Sequence, residues 1–473
     1  MKKMKGKDFC IGAVVLMVLL AIAPSINAHG ISNKLPDGGN GPFTKYTQPQ
    51  PQADDDDNSV YEVVWEDTYY GAGMVLDVAS DFDNNYIVVG VTHSFEGAVV
   101  KYNGVTGEVI WDNIISDSVM LPFYEGETYQ PTSDISRFYC IRNLMLDVHQ
   151  QRYDFSLDPT GAYFILITGV DIFSNGDVVI VATAIDNTND NDPSDVYIAK
   201  YSGLTGEVIW ERLLDLYVWD FGYSVAVTSN DNVIVVGVSG GYETHNGQLL
   251  PIMDGWVYKL DGDNEGCTLD QSHIFGITQP LPYYFDVALD SNNNVFATGA
   301  CLIIDWSNFP EITDVQTVVV NRYSGTTLNL QKSYYGNPAI FTWLCTITID
   351  TENKIYVGGH INNPTTNRYI MKFTNNLNTS LWTLQNVPGE VVCLAASKNP
   401  NVDEIAAQIG GNGFITDRFT FAGAFIAPEI IEHLNEGCGM AIVYDGNNDM
   451  VVTGSIEGGW DVYMHTMKYH IFR

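Results

Sequence analysis

Apolar and polar positions alternate in short runs along most of the chain, and turns rich in Asn, Asp and Gly separate the runs. One pair of such runs consists of residues 77–81 and 86–90, joined by a turn that begins at Phe82. A period of two over so few residues, bounded by Asx and Gly turns, is typical of half-buried β-strands. From Val60 onward the pattern therefore predicts an all-β protein.

The predicted strand pair recurs along the chain, which is the signature of a repeat architecture. Each copy ends its second strand on a small residue, at Gly90, Ala182, Gly237, Gly299, Gly359, Gly410 and Gly454. A third predicted strand follows each pair and ends on a basic residue before a large apolar one. These basic residues are Lys101, Lys200, Lys259, Arg322, Lys372, Arg418 and Lys468.

A fourth predicted strand is clearest in residues 106–111 and 205–210, which both read TGEVIW. Four antiparallel strands that repeat along a chain are the blades of a β-propeller. Residues 61–65 have the fourth-strand pattern with no unit before them, whereas the last unit lacks a fourth strand. Pairing these two segments would remove an exposed sheet edge, so we predict one closed ring over residues 61–473.

The repeat markers predict seven blades, with eight as the alternative. Gly90 and Ala182 are 92 residues apart, which leaves room for one more blade, and residues 152–161 resemble a third strand that enters a turn. That region lacks both markers, which favours seven. We interpret residues 116–160 as an insertion, with helical spacing in residues 141–148.

These repeats resemble a known family. Residues 195–210, 222–237 and 286–299 are similar to the SBBP-type β-propeller repeat of secreted and surface proteins of bacteria and archaea. The resemblance covers most of residues 61–473. The TGEVIW segments are also similar to the outer-strand tryptophan motif of pyrroloquinoline-quinone-type propellers. Both resemblances imply the fold alone, so they supply no catalytic and no cofactor-binding residue.

Residues 1–28 have the pattern of a signal peptide. Four lysines precede an apolar run at 9–23, which is shorter than the roughly 20 residues of a membrane span. We predict cleavage after Ala28, with an uncleaved membrane anchor as the alternative. Residues 29–60, rich in Gly, Pro, Gln and Asn, predict a flexible acidic linker. The expected location is outside the cell or on its surface, with membrane contact only through an uncleaved N-terminal segment.

Charge limits the partners that we expect. The chain has 22 Lys and Arg against 57 Asp and Glu, for a net charge of −35. A charge this negative repels phosphate backbones, so we predict no nucleic-acid partner. We expect a monomer that binds a protein or a carbohydrate ligand.

Two acidic loops match the ligand preference of Ca²⁺, a hard cation that takes clustered oxygen ligands. The first loop contains Asp186, Asp190, Asp192 and Asp195, and the second contains Asp261, Asp263 and Glu265. The second loop is not an EF-hand, because Ser272 stands where that motif has a Glu. Asp-rich turns also form without metal, since Asp favours turns. Calcium at either loop is therefore one hypothesis, and two solvated turns are the other.

No motif identifies a reaction. Residues 237–241 fit a nucleophile elbow around Ser239, but that site needs a strand-to-helix turn and no helix pattern follows. The predicted inner strands are small and apolar, with Asp77 and Asp286 as the main polar exceptions. We therefore predict an exported binding or scaffolding module. The alternative is a propeller enzyme (a lyase, glycosidase or quinone-dependent dehydrogenase) with its site in the central channel.

Overall fold

The computed structural model describes residues 61–69, 73–92, 96–116, 163–186, 194–216, 219–245, 248–262, 271–274, 281–305, 313–337, 342–362, 366–378, 380–410, 414–426, 430–432, 437–458 and 461–472. The predicted signal peptide, the linker and nearly all of the insertion lie outside these residues. Within the described ranges, no helix is long and apolar enough to cross a membrane.

The described residues form 28 strands and no helix. Blade 1 contains β2 (Met74–Ser80), β3 (Tyr86–Val91), β4 (Gly97–Tyr102) and β5 (Val109–Ile115). Blade 2 contains β6 (Tyr163–Ile172), β7 (Val178–Asp186), β8 (Ser194–Tyr201) and β9 (Val208–Leu214). Blade 3 contains β10 (Trp219–Val227), β11 (Asn232–His245), β12 (Gln248–Asp261) and β13 (Gln271–Ile274). Blade 4 contains β14 (Leu281–Leu289), β15 (Val295–Asp305), β16 (Thr313–Tyr323) and β17 (Leu330–Tyr335).

The remaining blades complete the set. Blade 5 contains β18 (Thr342–Ile349), β19 (Ile355–Asn362), β20 (Thr366–Phe373) and β21 (Ser380–Pro388). Blade 6 contains β22 (Glu390–Ala396), β23 (Ile405–Gly410), β24 (Phe414–Phe419) and β25 (Ile430–Glu432). Blade 7 contains β26 (Gly437–Tyr444), β27 (Met450–Gly458), β28 (Asp461–Ile471) and β1 (Tyr61–Tyr69). Each blade is an antiparallel sheet, and a single parallel bridge between Trp219 and Ser194 joins blades 2 and 3.

The seven blades close a ring. Each inner strand packs against the inner strand of the next blade, and β26 of blade 7 packs against β2 of blade 1. Strand β2 also contacts β6 directly, so no blade lies between blades 1 and 2, where the sequence left room for an eighth. Strand β1 pairs with β28 from Tyr61 opposite Ile471 to Tyr69 opposite Met464. The predicted seven-bladed β-propeller, closed by its N-terminal strand, is confirmed.

The hydrophobic core is divided among the boundaries between blades. Tyr86 and Tyr102 of blade 1 pack in one buried cluster with Met464 and Tyr469 of blade 7. A second cluster joins blade 1 to blade 2, and the same arrangement continues around the ring. Each blade therefore buries its apolar faces only against its neighbours, and stability depends on how adjacent blades are held in register.

The basic residue that ends a third strand is held between two blades. Lys101 Nζ lies 2.8 Å from Asp81 Oδ2 in its own blade and donates at 2.7 Å to the carbonyl oxygen of Gly203 in the next blade. Trp111 Nε1, on the fourth strand beside Lys101, donates to the same carbonyl oxygen at 3.2 Å. We call this convergence of two donors on one carbonyl of the next blade the Lys–Trp clamp.

The Lys–Trp clamp recurs at three more boundaries. Lys200 and Trp210 donate to the carbonyl of Gly262, Lys372 and Trp382 to that of Phe421, and Lys468 and Trp65 to that of Gly104. Because Trp65 belongs to β1, segments from both ends of the ring build the closing clamp. The receiving turn needs Gly107, whose φ is +71° and where a Cβ would lie 2.7 Å from the Trp65 indole.

The clamp generates a stability prediction. Lys101→Met removes the cation from a buried pair with Asp81, and we expect the free energy of unfolding to fall by about 3–5 kcal/mol. Lys332→Met is the matched control, because Lys332 is exposed on β17. Adding Asp81→Asn to Lys101→Met should recover part of the loss, since no uncompensated charge then remains. Urea unfolding followed by circular dichroism measures all four proteins, and equal midpoints for Lys101→Met and Lys332→Met would contradict the clamp.

Candidate functional site

The acidic residues of the central channel connect adjacent inner strands. Asp77 Oδ2 accepts the Val170 N–H at 3.1 Å, Asp171 Oδ2 accepts the Val227 N–H at 2.6 Å, and Asp286 Oδ2 accepts the Ile347 N–H at 2.9 Å. Burial raises the pKa of Asp171, and hydrogen bonds from the Val227 and Ile172 amides partly offset that rise. These carboxylates serve the contacts between blades, which gives the two polar exceptions noted in the sequence a structural role.

A cavity of about 350 Å³ opens at the end of the channel where the inner strands turn into the second strands. Blades 1 to 4 supply its lining, which consists of Phe82, Ile172, Ser174, Val227, Thr228, Ser229, Leu289, Asp290, Ser291 and Asn293. We call it the channel-mouth cavity. Half-buried aliphatic side chains at the ends of β6, β10 and β14 form its apolar part, and turn residues form its polar part.

Hydrogen bonds between neighbouring turns give the cavity a firm framework. The Ser229 amide donates to Asn293 Oδ1 at 2.9 Å, and Asn293 Nδ2 donates back to Ser229 Oγ at 2.8 Å. The Ser291 amide likewise donates to Asn353 Oδ1 at 2.8 Å. Asn293 and Asn353 both have φ of 60°, in the left-handed region that Asn tolerates better than most residues. The Asn-rich turns of the repeat thus link one blade to the next.

The polar groups of the cavity differ in what they can offer a ligand. Burial raises the pKa of Asp290, but hydrogen bonds from Asn294, Asn375 and backbone amides outweigh burial and lower it overall. Asp290 is therefore an ionised acceptor that the protein itself already uses. The Phe82 side chain, by contrast, is 73% exposed at the cavity edge. A large aromatic ring left this open to solvent is a candidate ligand contact.

Lys398 lies at the same end of the channel. It follows the first turn residue of blade 6, the position that Phe82 has in blade 1, and its Nζ donates to Ser80 Oγ at 3.2 Å. Protein atoms that flank the ammonium lower its pKa, although part of the side chain stays open to solvent, and the carboxylates of Asp171 and Asp445 partly offset that change. The channel mouth thus holds the ammonium group of Lys398, on which the carboxylates of Asp171 and Asp445 act.

A cluster of carboxylates lies at the opposite end of the ring, on the seam between blades 2 and 3. Oxygens of Asp195, Asp215 and Asp220 all lie within 4.8 Å of one another. Asp195 and Asp220 are buried and Asp215 is exposed. Asp220 Oδ2 accepts the Leu216 N–H at 2.6 Å. Strand β10 runs from this cluster toward the channel-mouth cavity, so the two features lie about 23 Å apart.

Ser239 takes part in this seam and has no nucleophile geometry. It lies inside β11, opposite Asp220, and its hydroxyl donates to Asp220 Oδ1. No strand-to-helix turn exposes it, because β11 continues to His245. A hydroxyl that donates to a buried carboxylate within a sheet holds strands together, which agrees with the lack of a helix pattern after residues 237–241 in the sequence.

Only some of the predicted metal ligands lie in the described part of the structure. Asp195 lies in the carboxylate cluster, whereas Asp186 ends β7 and its side chain is outside the described part. Asp190, Asp192, Asp263 and Glu265 also lie outside the described residues. Asp261 ends β12, directly before Gly262, whose carbonyl receives the clamp donors of blade 2. The start of the second acidic loop thus has a structural role between blades.

Sequence reasoning missed several of these residues. Asp215 and Asp220 are 20 and 25 residues beyond Asp195, in the connection between blades 2 and 3, and local spacing does not reveal such pairs. Placing every connection between successive blades on one end of the ring could have suggested them. The cavity residues lie in turns rich in Asn, Asp and Ser, and this composition is expected of any turn in the repeat, so it did not indicate a site. Phe82 could have indicated the cavity from the sequence, because the equivalent turns of blades 2 to 5 have Ser or Thr at that position.

Comparisons with known proteins show no family for this chain. No protein-family model matches it, and no curated protein matches it, so the likeness to SBBP-type and quinone-type repeats stays a prediction. The crystal structure of Raptor from Chaetomium thermophilum aligns with a TM-score of 0.49 at 8% identity, over 87% of this chain and 29% of that one. A protein of unknown function from Dyadobacter fermentans aligns with a TM-score of 0.45 at 12% identity, over 66% of this chain and 95% of its own.

Proposed function

We propose that the protein is an exported binding or scaffolding module whose ligand site is the channel-mouth cavity. The observation that carries the proposal is the position of Phe82, which is exposed beside a cavity with aliphatic and hydroxyl-bearing walls. Concave sites that combine apolar walls with a few fixed polar groups are the usual form of small-ligand sites. The turns that build this site are cross-linked, so the site is formed before a ligand arrives.

Binding is also supported by how the channel uses its charged groups. Asp77, Asp171 and Asp286 accept backbone N–H groups of the next blade, so each carboxylate has a task in the ring. Catalysis by a general acid or base needs such a group to exchange protons with a substrate. The propeller enzyme predicted as the alternative stays a hypothesis, and no contact among the described residues favours it.

Export is a proposal that depends on the pattern of residues 1–28. A basic segment followed by a short apolar run and small residues is typical of a cleaved signal. We expect the protein collected from the medium of an expressing culture to have the intact mass of a chain that begins at His29. A mass that includes the apolar run would support the uncleaved anchor instead.

A ligand panel tests the cavity. Saturation-transfer NMR with neutral sugars, organic acids, amines and short peptides should find binders among them. Ser229→Trp places an indole in the cavity from an exposed position and should abolish the signal of those binders. Thr327→Trp, in an exposed turn of blade 4 away from the cavity lining, is the matched control and should retain it. Binders that do not respond to Ser229→Trp, or an absence of binders in all classes, would contradict the proposed site.

Calcium at the two acidic loops also stays a prediction, and the carboxylates around Asp195 offer one place to test it. Three carboxylates within 4.8 Å repel one another, and a hard cation would relieve that repulsion. Asp215→Asn should raise the Tm without calcium and remove the rise in Tm that calcium gives the wild type. For the wild type, binding should add about 2.7 kcal/mol to the free energy of unfolding at a hundredfold excess of calcium over Kd. Glu62→Gln, an exposed change on β1, should retain the full gain. An equal gain in Asp215→Asn, measured by calorimetry with and without calcium, would place any calcium site elsewhere.

A further inference from the structure

We propose that the channel-mouth cavity binds a neutral carbohydrate of one or two sugar rings. Phe82 would pack against the apolar face of a ring, and hydroxyl groups of the turns would bond to the hydroxyl groups of the sugar. This inference rests on the proposed function and names the class of its ligand. It follows from the residues at one position of the blade turns, from the apolar surface beside them, and from the charge balance at the mouth.

Each inner strand is followed by a turn, and the second residues of these seven turns together surround the channel mouth. In order from blade 1 to blade 7 these residues are Phe82, Ser174, Ser229, Ser291, Thr351, Lys398 and Gly446. Four consecutive blades thus have a hydroxyl group at this position, of which that of Ser174 donates to Asp231 Oδ2, and the other three have a phenyl ring, an ammonium and a glycine. The mouth therefore has a hydroxyl-bearing side, an aromatic side, and a glycine beside Phe82 that adds no side chain.

The apolar surface of the cavity suits a sugar ring. Phe82 is 73% exposed, and the half-buried side chains of Ile172, Val227 and Leu289 lie in the same cavity. A ligand gains from this surface only if it has an apolar face of its own. The C–H face of a pyranose has that character while its edge carries hydroxyls. The volume of about 350 Å³ lies at the small end of the range for ligand sites, roughly 300–1,000 Å³, which limits the ligand to one or two rings.

The hydroxyl-bearing side is arranged to exchange hydrogen bonds with neutral groups. Ser229 Oγ accepts from Asn293 Nδ2 at 2.8 Å, so its own proton is directed away from Asn293. Ser229 and Ser291 are both exposed to the cavity. A serine hydroxyl has one donor and two acceptor positions, which is the same set that a sugar hydroxyl has. Such groups bond well to hydroxyls and carry no charge to attract an ion.

The charge balance disfavours an ionic ligand of either sign. A cationic ligand would need carboxylate oxygens, but Asp290 accepts hydrogen bonds from the Asn292 and Asn294 amides and from the side chains of Asn294 and Asn375. Asp231 likewise accepts hydrogen bonds from the amide and the hydroxyl of Ser174. An anionic ligand would meet a chain of net charge −35, and the carboxylates of Asp171 and Asp445 act on the Lys398 ammonium at the mouth. A neutral polyol needs no free carboxylate, and the negative charge of the chain does not repel it.

The experiment uses the secreted protein and defined sugars. Glucose, galactose, N-acetylglucosamine, maltose, cellobiose and lactose are titrated by calorimetry, with glucuronate and glucosamine as charged counterparts. We expect at least one neutral sugar to bind, and its charged counterpart to bind about tenfold more weakly. Phe82→Ala should weaken that sugar by about tenfold or more, because the stacking surface is lost. Phe472→Ala removes another exposed phenyl ring, 46% exposed and outside the cavity lining, and should leave affinity unchanged.

The outcomes separate this inference from the proposed function. If amines, organic acids or peptides bind and Ser229→Trp blocks them while neutral sugars do not bind, the ligand class is wrong and the cavity remains a binding site. If a neutral sugar binds the wild type and Phe82→Ala equally well, the sugar lies elsewhere and the inference is wrong. If nothing in either panel binds in the cavity, both proposals are wrong. Far-ultraviolet circular dichroism of Phe82→Ala and Phe472→Ala verifies that both variants are folded.

Discussion

The ring depends on one contact that recurs at four boundaries of the described structure, in which a lysine and a tryptophan of one blade donate to the same backbone carbonyl of the next. A carbonyl oxygen has two lone pairs, so it can accept from both donors at once. At the boundary of blades 1 and 2 the lysine also pairs with a buried aspartate of its own blade, so its charge is not left unpaired in the interior. Each clamp therefore sets the position of a turn in the neighbouring blade. The apolar side chains between the two blades pack beside the carbonyl that accepts both donors.

This arrangement explains where the protein can vary. The third and fourth strands carry the clamp. On the inner strands, the carboxylates of Asp77, Asp171 and Asp286 accept backbone N–H groups of the next blade. The residue type varies at the second position of each inner turn, which belongs neither to the clamp nor to the hydrogen bonds of Asp77, Asp171 and Asp286. Phe82 and Lys398 depart from the hydroxyl-bearing residues there, and both lie at the channel mouth. Function is therefore proposed at a position of the repeat where the residue type differs between blades.

Much of the architecture could be predicted because the repeat makes the same local demands seven times. The basic residues of the third strands and the TGEVIW segments were visible as repeated positions, and in the structure Lys101 and Trp111 belong to one contact. The acceptor could not be predicted, because Gly203 is far away in sequence and accepts through its backbone. The carboxylate cluster was missed for a similar reason, since Asp215 and Asp220 reach Asp195 only after two blades pack together. Local composition identifies residues of a repeat, whereas contacts between repeats need the closed ring.

The most direct test of this account is hydrogen exchange in Trp65→Phe, which removes only the indole donor to the Gly104 carbonyl and keeps an aromatic ring in place. If the clamp holds neighbouring blades in register, exchange should become faster in β1 and in the turn at residues 103–108 of blade 1. Strands β10 to β12, on another part of the ring, should exchange as they do in the wild type. Unchanged exchange in both segments, or a uniform increase over all blades, would contradict the clamp as the contact on which the ring depends.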